Sequence, residues 1–418
     1  MTSLIFTGIG AVIVVLAFVQ ALMLVLNHRA RLRTAKVAGQ YDLEVWDSRV
    51  QAAKTTLENT RKQTANTWSG LRKFEIKRKE FENDTQSICS FYLFPHDEKP
   101  LPPFKPGQFL TFDLKVPGQE RSVVRCYSLS DAPSPDYYRV SIRRVVNPET
   151  GEKGLSSCHF HDIMQEGDIA DCRAPAGVFY IEPEDNSPIV MIAGGVGITP
   201  FTSMLSTIAN VSPSREAWLF YSGRKLNDFI KVQELEKIAR TGRNLHVHFC
   251  ITDEEDGVLP DTPNFHTCRV GTQLFEELLP SQNYDFYMCG PRGMMTGMEG
   301  ALQDWGVPKS KIHWEDFAPI QIDPKKAAAA GPSDLKVKFK KSDKEVQWDA
   351  SHGPLRAFAF EQGVDIPISC GAGNCGTCLT AIREGEVEYL AEPGFPDLNE
   401  GECLPCVCIP KTNLELDA

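Results

Sequence analysis

Hydrophobic and polar positions divide the chain into stretches with different periods. Leu4 to Leu26, "LIFTGIGAVIVVLAFVQALMLVL", is apolar and uncharged, with Thr7 and Gln20 as polar interruptions. About 20 such residues in a helix cross the hydrocarbon of a bilayer, so the run predicts a transmembrane helix within residues 1–27. Residues 28–68 are rich in Ala, Gln, Lys, Arg and Glu and contain no proline, which predicts a helical linker. From 69 to 186 the period falls to two. The runs "FEIKRKEF", "SICSFYLF", "GQFLTFDLKV" and "YYRVSIRRV" are separated by turns bearing Pro and Gly. They predict an antiparallel β-barrel. From 187 to 318, apolar strands ("PIVMIAGG", "EAWLFYSG", "LHVHFCIT", "YDFYMCG") alternate with helical stretches, which predicts an α/β doubly wound domain. Residues 319–333, "PIQIDPKKAAAAGPS", read as a linker. Residues 334–418 form a last small α+β unit, with strands in "LKVKFKKSDKEVQWD" and a helix in "PLRAFAFEQG". The fold class is therefore multidomain.

Composition narrows the picture. Acidic residues number 55 against 44 basic ones, a formal charge of −11. A nucleic-acid partner would need a basic excess, so none is expected. The first apolar run begins "MTS", without a basic residue, and no clear cleavage site follows it. That favours a retained anchor over a cleaved signal peptide. Arg29, Arg31, Arg33 and Lys36 come next, and the positive-inside bias then leaves the catalytic domains in the cytoplasm. The expected location is the cell inner membrane, single-pass. The 13 cysteines are an odd number, and six lie from Cys370 onward. This suits a reducing compartment and a metal site better than a disulfide scaffold.

Three motifs in the middle of the chain suit nucleotides. In "RCYSLS", Arg125 and Tyr127 share one face of an alternating strand. An arginine fork suits a phosphate, an aromatic ring stacks on a flat heterocycle, and the Ser128 hydroxyl suits a ring nitrogen. "GEKGLSS", Gly151 to Ser157, is a Gly-rich turn opening into the helical "CHFHDIM", which offers backbone N–H groups to a diphosphate. "IAGGVGITP", Ile192 to Pro200, lies between an apolar strand and a helical run. That is the setting of a dinucleotide loop, although its spacing departs from G-x-G-x-x-G. Taken singly, the first two read more readily as an ordinary strand with an exposed Arg and a plain turn with its N-cap.

"CGAGNCGTC" places Cys370, Cys375 and Cys378 in C-x4-C-x2-C spacing, the plant-type [2Fe–2S] pattern with a distant fourth cysteine. Structural zinc sites usually show two tight C-x2-C pairs. A redox pair at Cys375 and Cys378 would leave Cys370 unexplained. Spacing alone allows Cys403, Cys406 or Cys408, in "GECLPCVCIP", as the fourth ligand.

Taken in order, "RCYSLS", "YRVSIRR", "GLSS", "EGD", "APAGVF", "AGGVGITP", "YSGR" and "YMCGPRGMM" resemble the ferredoxin–NADP⁺ reductase superfamily from about 69 to 318. The likeness is especially close to bacterial oxygenase reductases and the reductase part of flavohaemoglobins. It implies a flavin domain, with FAD expected over FMN. Arg125 corresponds to the flavin phosphate arginine and Tyr127 to the ring packed on the isoalloxazine. Ser128 corresponds to the hydroxyl bonded to flavin N5. Gly154, Leu155, Ser156 and Ser157 correspond to the diphosphate turn. Gly194, Gly195, Gly197 and Thr199 fall on the pyridine-nucleotide loop. Cys289 matches the cysteine near the nicotinamide, and Glu315 and Phe317 match the acidic and aromatic residues ending the reductase core. The implied catalytic set is Ser128, Cys289 and Glu315.

Residues 334–418 resemble a plant-type ferredoxin domain of β-grasp fold. That family ends in Leu-x-Cys with a proline four residues beyond, a frame that Leu404, Cys406 and Pro410 fit. The resemblance thus implies Cys370, Cys375, Cys378 and Cys406 as metal ligands.

Members that use NADPH hold its 2′-phosphate with a serine and a basic residue after the strand matching "LHVHFCIT". Here Thr252 is followed by Asp253, Glu254, Glu255 and Asp256. Carboxylates repel a phosphate and favour ribose hydroxyls, so NADH is expected over NADPH despite Arg224 and Lys225. The order of domains resembles phthalate-dioxygenase-type reductases with an added anchor. It implies a protein electron acceptor, either a terminal iron oxygenase, hydroxylase or desaturase. The alternative is a respiratory subunit feeding quinone or a membrane complex. In the flavin subunit of sodium-translocating NADH:quinone reductase, however, the ferredoxin unit precedes the flavin unit.

Overall fold

The computed structural model describes residues 68, 70–119, 122–242, 244–253, 263–317, 334–368, 371, 373, 376–390, 393, 395 and 398–418. The anchor expected in residues 1–27, residues 28–67 of the helical stretch, the linker 319–333, Glu254 to Asp256, Cys370 and Cys375 lie outside them. Among the described residues no helix is long and apolar enough to cross a membrane. All of them belong to one compact unit, Asn66–Ala418.

Six strands form the barrel: β1 (Arg72–Phe81), β2 (Ile88–Pro95), β3 (Phe109–Leu114), β4 (Val123–Ser128), β5 (Tyr138–Arg143) and β6 (Ile169–Cys172). Their order is β4-β3-β6-β1-β2-β5, and a bridge between Leu129 and Val140 joins the two ends. Alternation selects the inside. Phe74 and Ile76 are fully buried while Lys73 and Lys77 face water. Phe91, Leu93, Leu110, Phe112, Val140 and Ile142 complete the core. The stretch expected as one helix after the Gly-rich turn is instead two short pieces. α1 (Leu155–Cys158) runs into a π-helical turn, His159–Ile163. The wider turn seats Phe160 edge-on to Phe91 and Phe112, with centroids 5.1 and 5.2 Å apart. Lys79 Nζ donates to the carbonyls of His161 and Met164 at 2.7 and 2.9 Å, ending the helical run.

The second layer is a parallel sheet of β7 (Ile189–Gly194), β8 (Ala217–Gly223), β9 (Leu245–Ile251), β10 (Phe265–His266), β11 (Asp285–Cys289) and β12 (Ile312–Glu315). The order is β10-β9-β8-β7-β11-β12. It is flanked by α2 (Thr199–Val211), α3 (Val232–Thr241), α4 (Thr272–Leu278) and α5 (Arg292–Asp304). Every residue of β7 is buried, as a central parallel strand requires. The strand order reverses between β7 and β11, which places the ligand crevice at their C-terminal ends.

Charged groups lock barrel to sheet. Arg139 on β5 donates to the Ser130 carbonyl and pairs with Glu234 of α3 at 3.1 Å. Lys231 Nζ lies 2.6 Å from Glu82, with both side chains under a tenth exposed. Removing one partner of such a buried pair leaves an uncompensated charge, at a cost of about 3–5 kcal/mol.

The last layer is a five-stranded sheet. β13 (Lys336–Phe339), β14 (Lys344–Gln347), β15 (Thr380–Glu384), β17 (Glu402–Cys403) and β19 (Leu414–Leu416) run in the order β14-β13-β19-β15-β17. A two-stranded ribbon joins β16 (Val387–Tyr389) to β18 (Cys408–Pro410). β13 and β19 are parallel, and α6 (Leu355–Glu361) packs on them through Phe358, which meets Trp348 edge-on at 4.8 Å. One helix held in the curl of a small mixed sheet is a β-grasp arrangement.

Candidate functional site

The flavin-facing motif begins on β4. Ser128 is 6% exposed, and its Oγ is buried without a hydrogen-bond partner. A buried hydroxyl left unpaired is costly, so the atom fits a ligand that supplies the partner. Tyr127 packs edge-on against Phe112 and Phe160, and its phenol oxygen is 2.8 Å from Ser156 Oγ. Burial pushes the Tyr127 phenol up to about 12, so it stays neutral and available for hydrogen bonding. That bond ties the "RCYSLS" strand directly to the Gly-rich turn. In the turn, Ser157 Oγ accepts from Val145 N at 3.2 Å, while Leu155 is 45% exposed. A Cβ on Gly154 would stand 2.8 Å from Ser157 Oγ. Arg125 is exposed, and its guanidinium donates to the Val124 carbonyl at 2.7 Å.

The nucleotide loop leaves β7 at Gly194, turns through a 3-10 segment, Gly195–Ile198, and enters α2 at Thr199. The glycines here are dictated by contact. A Cβ on Gly197 would overlap the Cys289 carbonyl oxygen and lie 2.9 Å from Gly290 N. One on Gly290 would meet Gly194 Cα at 3.0 Å. The loops after β7 and β11 therefore touch backbone to backbone, which brings Cys289 to the crevice. Cys289 is fully buried and pairs in register with Glu315 of β12. Burial, and then the carboxylates of Glu315 and Asp316, hold its thiol well above the ordinary range, so it is protonated. Phe317 is 42% exposed at the end of the same layer. Thr199 Oγ1 donates to Val196 O at 3.1 Å, capping the turn from within.

In the ferredoxin layer, Cys378 and Cys406 are buried and their sulfurs lie 3.2 Å apart. Two thiols this close, from segments 28 residues apart in the chain, would form half of a tetrathiolate donor set. Cys370 and Cys375, the other two residues of the motif, are outside the described residues. Gly376 has a φ of +69° and packs on the Phe395 ring, so both its conformation and its missing Cβ are needed in the loop. Cys403 and Cys408 are fully buried within the domain core. Burial and the adjacent Cys403 raise the Cys408 thiol well above its ordinary range.

Sequence reading overlooked three residues that shape these sites. Thr202 Oγ1 donates to Ser130 O at 2.9 Å, tying the nucleotide helix to the flavin strand. Arg139 holds that same carbonyl, and "YRVSIRR" contained it without revealing its partner. Arg356 N donates to the carbonyl of Pro405, next to Cys406, at 2.8 Å. Only an alignment of spatial neighbours could have pointed to any of them.

Replacing Gly197 with Ala forces the two loops apart. We expect a loss of about 1–3 kcal/mol in stability, the usual cost of overpacking, together with a rise in KM for the pyridine nucleotide. Chemical denaturation and steady-state reduction of an artificial acceptor measure the two effects. Unchanged values in both would show that the loops yield freely.

Residues 191–300 match the oxidoreductase NAD-binding domain family, and residues 339–411 match the 2Fe-2S iron-sulfur cluster binding domain family. The chain is 34% identical over 290 residues to the flavohemoprotein of Halalkalibacterium halodurans, covering 66% of this chain and 69% of that protein. It is 32% identical over 252 residues to the flavohemoprotein of Bacillus subtilis, covering 60% of each. Its fold is similar to phthalate dioxygenase reductase, described as a modular structure for electron transfer from pyridine nucleotides to [2Fe-2S]. The TM-score is 0.54 at 25% identity, over 84% of this chain and 98% of that one. The flavohem-like FAD/NAD-binding domain of nitric oxide dioxygenase from Vibrio cholerae O1 biovar El Tor gives a TM-score of 0.52 at 30% identity, over 59% and 99% respectively. These matches support FAD, NAD(H) and a [2Fe–2S] cluster as the cofactor set. The chain is an NAD(P)H-dependent oxidoreductase, and it belongs to the ferredoxin–NADP⁺ reductase superfamily as a flavoprotein reductase with a C-terminal [2Fe–2S] ferredoxin domain.

Proposed function

We propose that the protein is a membrane-anchored, NADH-dependent reductase that passes single electrons to a terminal iron oxygenase, hydroxylase or desaturase. The observation that carries this reading is the pairing of Cys378 and Cys406, 3.2 Å apart, in a domain that follows a flavin and nucleotide core. A flavin and an iron–sulfur cluster, when bound, convert a two-electron hydride into single electrons.

This chain's residues divide the work. Ser128 would hold FAD through its unpartnered hydroxyl, with Tyr127 against the ring and Arg125 and the turn Gly154 to Ser157 at the phosphates. Gly194, Gly195, Gly197 and Thr199 would receive the nicotinamide nucleotide at the mouth of the crevice. The protonated Cys289 and the neighbouring Glu315 would line its reactive end, and Phe317 would cover the edge. Cys370, Cys375, Cys378 and Cys406 would hold the cluster.

The preference for NADH draws on Asp253. Its N–H donates to the Arg224 carbonyl at 2.9 Å, which joins the start of the acidic run to the backbone of the arginine that would otherwise greet a 2′-phosphate. The acceptor class draws on the solved relatives, since phthalate dioxygenase reductase and full-length CYP116B46 of Tepidiphilus thermophilus both carry this arrangement. The latter has a TM-score of 0.61 at 25% identity, over 83% of this chain and 42% of that one. The inner-membrane placement draws on the uncharged run Leu4 to Leu26 and the arginines that follow it.

Three experiments test this reading. Cys406→Ser should abolish the visible absorption and EPR signal of the cluster, while Cys408→Ser keeps both; the reverse result would move the ligand frame. kcat/KM should be at least tenfold higher with NADH than with NADPH, and parity would refute the carboxylate argument. The full chain should sediment with membranes and release a co-purifying iron oxygenase on detergent extraction. Recovery in the soluble fraction would remove the anchor from the account, and co-purification with a quinone-linked complex would replace the acceptor.

A further inference from the structure

Arg356, in the first turn of α6, is mostly buried, and among the described residues the carboxylate nearest its guanidinium is the distant, exposed one of Asp365. Its backbone N–H donates to Pro405 O at 2.8 Å, and its Nε donates to Ile366 O at 3.2 Å. The guanidinium lies 4.9 Å from the Phe360 ring centroid. The side chain is 16% exposed, and the carboxylate nearest to it, on Asp365, is 4.0 Å away on a side chain 91% exposed. A buried arginine normally takes a close, paired carboxylate. Here the counter-charge is loose and faces water.

Other groups bear on this cation. Burial lowers its pKa from the ordinary arginine range, and Asp365 opposes that effect. Arg173, which follows β6 in the flavin barrel, repels it, while the thiols of Cys378 and Cys406 attract it. An arginine of the flavin barrel and two cysteines of the ferredoxin domain therefore bear on one guanidinium, whose backbone is tied to Pro405 beside Cys406. Like charges so placed need a nearby anion, and an iron–sulfur cluster with four thiolates is one.

We propose that Arg356 is a positioning residue for electron transfer, its backbone tied to the Pro405 carbonyl next to Cys406 and its guanidinium held by the Ile366 carbonyl, so that its charge sets the reduction potential of the cluster. The step is the arrival of one electron from NADH by way of the flavin domain. No bond forms or breaks and no proton moves at Arg356. Reduction adds one negative charge to an already anionic cluster, so a fixed cation favours the reduced form. The inference rests on the assignment of the cluster to Cys378 and Cys406.

The test is an EPR-monitored redox titration of the full-length holoprotein. Arg356→Gln should lower the cluster potential by at least tenfold in the one-electron equilibrium, about 59 mV. Arg356→Lys keeps the charge without the fork and should stay within threefold of wild type. A wild-type potential in Arg356→Gln overturns the proposal. If Arg356→Gln takes up no cluster, Arg356→Lys decides: a potential within threefold of wild type supports the charge, and a tenfold fall overturns it. A cluster that survives Cys406→Ser overturns the ligand assignment instead, so the two failures are distinguishable.

Discussion

The close approach of the loops after β7 and β11 is the constraint on which the reductase core depends. Gly197 lies under the Cys289 carbonyl with no room for a Cβ, and Gly290 lies against Gly194. This contact sets the depth of the crevice at the point where the strand order reverses. It also fixes Cys289, and through its register with Glu315 the edge strand β12. From the same loop α2 departs, and Thr202 on α2 reaches the Ser130 carbonyl two residues beyond Ser128. One packing constraint thus couples the nucleotide crevice to the strand that bears the flavin motif.

Electrostatics fixes the rest of that coupling. The Lys231–Glu82 pair is shielded from water, and Arg139 is buried against a partly exposed Glu234, so each charge is held by its partner across the barrel–sheet boundary. Buried pairs of this kind add less to net stability than their attraction suggests, because desolvation offsets much of it. Their effect is on geometry: misaligned domains would leave buried charges unpaired. The orphaned Ser128 hydroxyl follows the opposite logic. It is the polar atom on β4 whose partner the protein leaves to be supplied from outside.

Much of this was legible in the sequence because it is local. Alternation in "FEIKRKEF" and "SICSFYLF" marks β1 and β2 nearly to their ends, and the continuous apolar run "PIVMIAGG" marks the fully buried β7. The thiol spacing marks the ferredoxin loop, and the frame around Leu404 singles out the cysteine whose sulfur stands beside Cys378. Tertiary features were not legible. The end of the helical run at Ile163 depends on Lys79, which is distant in sequence and takes the carbonyls of His161 and Met164. Arg139 and Arg356 look like ordinary surface arginines until their strand and helix are packed. Arg125, read as a fork for phosphate, rests on its own strand's Val124 carbonyl, a rotamer that no pattern encodes.

The central claim is a serial path from pyridine nucleotide through the flavin domain to the cysteine cluster. Rapid mixing of the oxidised holoprotein with NADH, followed by absorbance and by freeze-quench EPR, tests it most directly. The account predicts that flavin bleaching precedes the cluster's EPR signal, which then grows at the expense of the reduced flavin. An EPR signal that rises before the flavin bleaches, or a flavin fully reduced beside a cluster that stays oxidised, would contradict it.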